Sequence, residues 1–205
     1  MKITLEACVD SVASAVHAEK HGAHRLELCA KLHLDGTTPE PALIQEVMNS
    51  VNIPVKVMIR PHGGDFVYTG GEFDEMLDSI QECKSIGVPE IVTGILRVDH
   101  TLDIDRITLV AKAASPMAVT IHKCIDLVPD VFEAIDQLKQ IPGVRSILSS
   151  GQADTAAQGA DMLKEMLHAC DERLTLIVAG RVTPDSLPQL IYIIGATEYH
   201  GRRIV

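Results

Sequence analysis

An eight-stranded (β/α) barrel is the fold this sequence predicts, and three observations carry the prediction. Apolar runs of strand length alternate with amphipathic segments of helix length along the chain. Four junctions repeat one pattern, in which a helix end is followed by a glycine and then a strand. The apolar runs number eight, which favours a closed TIM-like barrel over an open doubly wound sheet.

The glycine pattern places four strands. Gly22 precedes Arg25-Leu26-Glu27-Leu28, Gly87 precedes Glu90-Ile91-Val92, Gly143 precedes Arg145-Ser146-Ile147-Leu148, and Gly195 precedes Glu198-Tyr199-His200. A glycine just past a helix takes the left-handed conformation without a Cβ clash, which ends the helix and turns the chain. The other four runs are Ile3-Thr4-Leu5, Val55 to Ile59, Met117 to Ile121 and Leu174 to Val178. Such largely apolar strands suit a parallel sheet covered by helices. Asp10 or Ser11 caps a helix through Val16, and Asp154 or Thr155 caps another through Leu167. From Glu72 to Ile86, the residues Phe73, Met76, Leu77, Ile80 and Cys83 share one helical face. The whole of 1–205 reads as one barrel domain. No eighth helix follows the eighth strand, so that flank is expected to be covered by another element or subunit.

Composition narrows the function. Hydrophobic residues make up 46% of the 205, aromatic residues only 3%, and Trp is absent, so the core must be aliphatic. A formal net charge of −10 without a basic run argues against nucleic-acid binding. No apolar stretch approaches the roughly 20 residues that span a bilayer. The opening MKITLEACVD reads as a strand rather than a signal peptide, so a cytoplasmic protein is expected. Five cysteines, an odd number with no CxxC pair, read as reduced thiols rather than a disulfide framework. Cys83 and Cys170 fall on helical segments and read as packing.

Barrel chemistry collects where strands run out into βα loops. Glu6 and Cys8 stand at the first strand's end and Glu27 and Cys29 at the second's. The third runs into Arg60, Gly63, Gly64 and Asp65, and the fourth ends at Thr93-Gly94. The fifth carries His122, Lys123, Cys124 and Asp126, and the sixth Ser150 and Gln152. Gly180 and Arg181 follow the seventh, and His200, Gly201 and Arg202 end the eighth. A barrel interior is expected to hold apolar layers, so Glu6, Glu27, Arg60, His122 and His200 gathered at one end suggest a site. The bland alternative is an ion network of Glu6, Glu27 and Arg60. The Gly63-Gly64-Asp65 turn lets backbone approach a ligand, or is an ordinary tight turn. The loops near Ser150, Gln152 and Gly180 are candidates for holding a small anion. Cys8, Cys29 and Cys124 are candidate soft-metal ligands, since thiolates favour Cu(I) over hard cations.

Several of these segments carry a resemblance. Leu5-Glu6-Ala7-Cys8, Arg25-Leu26-Glu27-Leu28-Cys29, Ile59 through Phe66, Val92-Thr93-Gly94, Val119 through Lys123, Leu148 through Gln152 and Glu198-Tyr199-His200 run in the order found in the CutC family, which this chain resembles over nearly its whole length. The resemblance implies a TIM-like barrel, a cytoplasmic location, self-association into a homo-oligomer and a part in copper homeostasis through Cu(I) binding. The chain departs from the family pattern in three places. Lys123 stands where the family usually has Arg, Arg181-Val182 follow Gly180 where a second Gly is usual, and Gly201-Arg202 follow His200 where small Ser residues are usual.

Three functions stay open at this point. One is a copper-homeostasis protein binding Cu(I) at Cys29, with Cys8 or Cys124. Another is an enzyme acting on a small anionic metabolite, with Glu6 and Glu27 as acid–base groups, His122 and His200 as proton carriers and Arg60 as anion anchor. The last is a non-catalytic oligomeric scaffold.

Overall fold

Residues 2–205 are described by the computed structural model. Eight parallel strands close in sequence order into a barrel: β1 (Thr4–Val9), β2 (Arg25–Leu28), β3 (Val55–Met58), β4 (Glu90–Thr93), β5 (Ala118–Ile121), β6 (Val144–Ser149), β7 (Thr175–Val178) and β8 (Glu198–Gly201). Seven helices lie between them: α1 (Val12–Lys20), α2 (Pro41–Ser50), α3 (Gly70–Ile86), α4 (Ile104–Ala114), α5 (Val131–Leu138), α6 (Ala160–Cys170) and α7 (Leu187–Ile194). Gly22, Gly87, Gly143 and Gly195 all hold positive φ, as the helix–glycine–strand pattern requires.

Local chemistry explains the helix starts. Ser11 caps α1 and forms a reciprocal capping box with Ser14. Thr69 and Glu72 do the same for α3, which buries Phe73, Met76, Ile80 and Cys83 against the barrel wall. One expected start is displaced. No helix begins at Asp154 or Thr155; α6 begins at Ala160 behind Gly159. The residues before it are pinned to the strand ends instead: the Ala156 N–H donates to the Gly180 carbonyl at 2.9 Å, and the Ala153 carbonyl accepts from the Ser150 hydroxyl at 2.6 Å. Between them Thr155 caps a single turn, accepting the Gln158 N–H on its hydroxyl at 3.2 Å and the Gly159 N–H on its carbonyl at 3.0 Å, but the continuous helix starts only behind it.

The flank at β8 is also not bare. Tyr199, which alternates with the inward-facing Glu198 and His200, is fully buried, and Ile204 joins the same core.

The expectation of apolar interior layers fails in the lower half of the barrel. Arg25 from β2 bridges Glu6 of β1 and, at 2.6 Å, Glu198 of β8. Lys56 from β3, 1% exposed, sits 3.3 Å from Glu6, 2.9 Å from Glu90 of β4 and 2.9 Å from the Thr120 hydroxyl of β5. Thr120 bonds Ser146 of β6 at 2.6 Å, and both bond Glu90. The register places Glu6 opposite Arg25 and His200, and Lys56 opposite Glu90, so these side chains meet inside one ring. The result is a buried polar plug with every cation matched to a carboxylate.

Candidate functional site

Above the plug, at the C-terminal strand ends, a cavity of about 870 Å³ opens to solvent. That size suits a small-molecule site. It has two chemically different walls.

The first wall comes from β1, β2 and β8. Cys8 and Cys29 bring their sulfurs to 3.9 Å, and Cys29 Sγ lies 3.4 Å from Glu27 Oε1. Cys8 Sγ lies 3.8 Å from the same oxygen. His200 Nδ1 stands 2.9 Å from Glu6 Oε1 and 4.0 Å from Glu27 Oε2. Cys8, Glu27 and His200 each offer a ligand atom within 4.8 Å of the others. Adjacent parallel strands make this possible, because Cys8 pairs in register with Glu27 and Cys29 follows two residues later on the same face. Gly36 closes over Cys29, where a Cβ would stand 3.1 Å from the sulfur.

Charge is unevenly shared on this wall. A hydrogen bond from Cys29 lowers the Cys8 thiol to about 5; burial opposes this, and His200 and Arg202 assist it. That same bond, together with burial and the Glu27 charge, pushes the Cys29 thiol up. Burial raises the Glu27 carboxyl to about 7 against the pull of His200. Burial disfavours the His200 imidazolium, but Glu27, Cys8 and Glu6 outweigh it and hold the ring protonated. Glu6, although fully buried, stays ionised because Lys56, His200 and Arg25 surround it. Glu6 therefore belongs to the ion plug and not to the open rim where the acid–base reading put it. The plug also differs from the network expected from sequence: Arg60 takes no part, and Arg25, Lys56, Glu90 and Glu198 supply what was not foreseen.

The second wall comes from β3 and β5. Arg60 is 3% exposed; its Nη1 donates to the carbonyls of Leu34 and Gly36 and its Nη2 to that of Gly64, each at 2.9 Å. The Gly63-Gly64 turn thus wraps the guanidinium, and Asp65 is occupied with the Val67 N–H at 3.2 Å. The Phe66 ring lies 4.8 Å from the guanidinium carbon and 4.7 Å from the His122 ring centre. His122 Nδ1 accepts the Cys124 N–H at 3.2 Å. Burial, helped by the Arg60 charge, lowers the imidazole to about 3, so it is neutral and carries its proton on Nε2.

Other expected residues have structural tasks. Thr93 is fully buried and donates to the Ile59 carbonyl at 2.9 Å. Asp126 accepts from the N–H groups of Ser150 and Gln152 and from the hydroxyls of Ser149 and Ser150, which shapes the loop after β6. Gln152 donates to the Val128 carbonyl at 2.8 Å. Gly180, at φ +104, lines the cavity where a Cβ would stand 2.7 Å from that of Ser150. Cys124 packs in the main core beside Gly94 and His122, apart from the small cluster that holds Cys8 and Cys29. Lys123, Arg181, Arg202 and Arg203 stand at the mouth with Asp35, Asp126 and Asp154; Lys123 lies 3.8 Å from Asp126 and Arg202 reaches Asp35 at 3.0 Å.

A pH test follows from the buried neutral imidazole. With a folded-state value near 3 and an ordinary unfolded value near 6.5, the unfolded chain binds the extra proton between those limits. Stability therefore falls as pH drops from 6.5 toward 3, by at most about 1.4 kcal/mol per pH unit from this group. Urea unfolding of His122→Gln between pH 6.5 and 4.5 is expected to show a correspondingly shallower loss than the parent. Parallel slopes would mean that His122 titrates normally.

Comparison with known proteins agrees with this architecture. The CutC family profile matches residues 3–205. The human copper homeostasis protein cutC homolog is 38% identical over 196 residues, covering 96% of this chain and 71% of that protein. A family protein CutC from Chromobacterium violaceum is 37% identical over 197 residues, covering 96% and 79%. A CutC crystal structure from Streptococcus agalactiae superposes with a TM-score of 0.94 at 28% identity, covering 99% of this chain and all of that one. A dihydrodipicolinate synthase from Bacillus anthracis, at 12% identity and a TM-score of 0.66, shares the barrel alone; it matches 98% of this chain and 70% of its own. With the profile spanning nearly every residue and the strand-end segments in their expected order, the chain belongs to the CutC family.

Proposed function

We propose that this chain takes part in copper homeostasis by binding Cu(I) at Cys8 and Cys29. The observation that carries the reading is the 3.9 Å separation of the two sulfurs. With metal–sulfur bonds of about 2.3 Å, as for zinc, two sulfurs sharing one ion lie up to roughly 4.6 Å apart. Soft thiolates select Cu(I) over hard divalent cations. The donor set fits a single cation: one sulfur is already poised as thiolate, and Glu27 Oε2 is buried with no hydrogen-bond partner. His200 supplies a further nitrogen if it gives up its proton. The names of the curated relatives support the same reading. Free thiols of this kind persist in a reducing compartment, so a cytoplasmic location goes with the proposal. Among the described residues no helix is long and apolar enough to cross a membrane.

The test is titration of the reduced protein with Cu(I) against a competing chelator. One ion per chain is expected, with affinity falling at least about a hundredfold in Cys29→Ser, or about 2.7 kcal/mol. Cys124→Ser serves as the matched thiol loss outside the pair and is expected to bind like the parent. Equal affinity in the Cys29 variant would reject the site.

A further inference from the structure

We propose that the second wall of the cavity is a binding site for a small organic oxyanion, a carboxylate or a phosphate, received by Arg60 Nε and His122 Nε2. It is separate from the thiol pair and does not depend on copper binding.

The first observation is a group of buried polar atoms left without partners. Arg60 Nε and His122 Nε2 are both buried and without a hydrogen-bond partner among the described residues, and the Tyr68 hydroxyl, also buried, has the Arg60 side chain as a polar neighbour. Their side chains are 3%, 4% and 4% exposed. Arg60 and His122 both pack on the Phe66 ring, within 5 Å of its centre, and the charge of Arg60 acts on both His122 and Tyr68. Arg60, Phe66 and His122 all line the cavity. Buried donors without acceptors are costly, and several together in one place call for a ligand or water.

The second observation is charge. The other donors of Arg60 go to backbone carbonyls, which orient the guanidinium without neutralising it. Among the described residues it pairs with no carboxylate, whereas Arg25 and Lys56 in the plug are each matched by two. A buried unpaired cation is strongly unfavourable, and an anion supplies the missing charge. At the mouth Lys123 and Arg202 are paired with Asp126 and Asp35, which leaves Arg181 and Arg203 as the cations without a carboxylate partner among the described residues to draw such an anion inward, although the whole chain carries −10.

The third observation is the fixed role of His122. Its Nδ1 is occupied as acceptor by the Cys124 N–H, so Nε2 must donate. A charged N–H and a neutral N–H on one wall match a ligand with an anionic group and a second oxygen. Pyruvate, a small carboxylate with a second oxygen, and inorganic phosphate are the probes of the two oxyanion sources.

The test is nitrogen-15 NMR of the copper-free protein, following the Arg60 Nε–H and His122 Nε2–H resonances. Pyruvate or phosphate is added at constant ionic strength held with sodium chloride. Saturable shifts of both resonances are expected with at least one probe, at a Kd of about 1 mM or tighter. Whichever probe binds assigns the carboxylate or the phosphate class. Affinity is expected to fall about tenfold or more in His122→Phe. The protein is copper-free and the resonances read are those of Arg60 and His122, so failure here is distinguishable from failure of the Cu(I) titration. Absence of saturation with both probes would overturn the proposal and leave the three atoms to ordered water. So would shifts confined to the mouth.

Discussion

Lys56→Met is expected to destabilise the protein by roughly 3–5 kcal/mol, the range for removing one partner of a buried ion pair. The ammonium lies between Glu6 and Glu90 at 3.3 and 2.9 Å and donates to Thr120. Methionine has nearly the same length but leaves Glu6 facing Arg25 and His200 alone, and frees Glu90 and Thr120 from their common partner. The loss spreads because these groups form one ring around the barrel interior. Denaturant unfolding measures it. The double variant Lys56→Met with Glu90→Gln is expected to recover part of the loss, since it removes the carboxylate left unpaired. Arg202→Ala breaks only an exposed pair with Asp35 and is expected to change stability by less than about 1 kcal/mol. A Lys56 variant as stable as the parent would show that the plug contributes nothing net.

Gly94→Ala is expected to cost about 1–3 kcal/mol or more through overpacking. A Cβ there would stand 2.2 Å from Cys124 Sγ and 2.7 Å from both Cε1 and Nδ1 of His122. Both neighbours are buried. The His122 ring must shift, which breaks its bond from the Cys124 N–H and disturbs the second wall. A lower melting temperature is the first readout, at roughly 2–4 °C per kcal/mol for a chain of this size. Gly71→Ala gives the opposite sign. It sits in the first turn of α3 with no atom within 4 Å of the added carbon, so the better helix former should raise stability by up to about 1 kcal/mol. Equal melting temperatures for the Gly94 variant and the parent would mean that the wall yields without cost.

Much of the barrel was legible in the chain. The eight apolar runs, the four glycines at helix ends and the polar residues at strand ends each follow from local rules of two-residue and 3.6-residue periodicity and of left-handed glycine. Those rules act within a few residues, so they survive without knowledge of the fold. The start of α6 was misplaced because its competing bonds come from Gly180 and Ser150, on other strand ends.

The site was legible only as a set of residues. The sequence by itself determined that thiols, carboxylates, imidazoles and an arginine stand at one end of the barrel, because strand ends are set by local pattern. Which of them meet was decided by the closed sheet. Register across β1, β2 and β8 sends Glu6 down to Arg25 and Lys56, joins Cys8 to Cys29, Glu27 and His200, and leaves Cys124 in the core beside His122. Beside Glu6, Lys56 between two valines was a further local sign of a charged interior, since an inward lysine in an apolar strand needs partners. Those partners lie on β1, β4 and β5, and only closure of the barrel brings them within bonding distance.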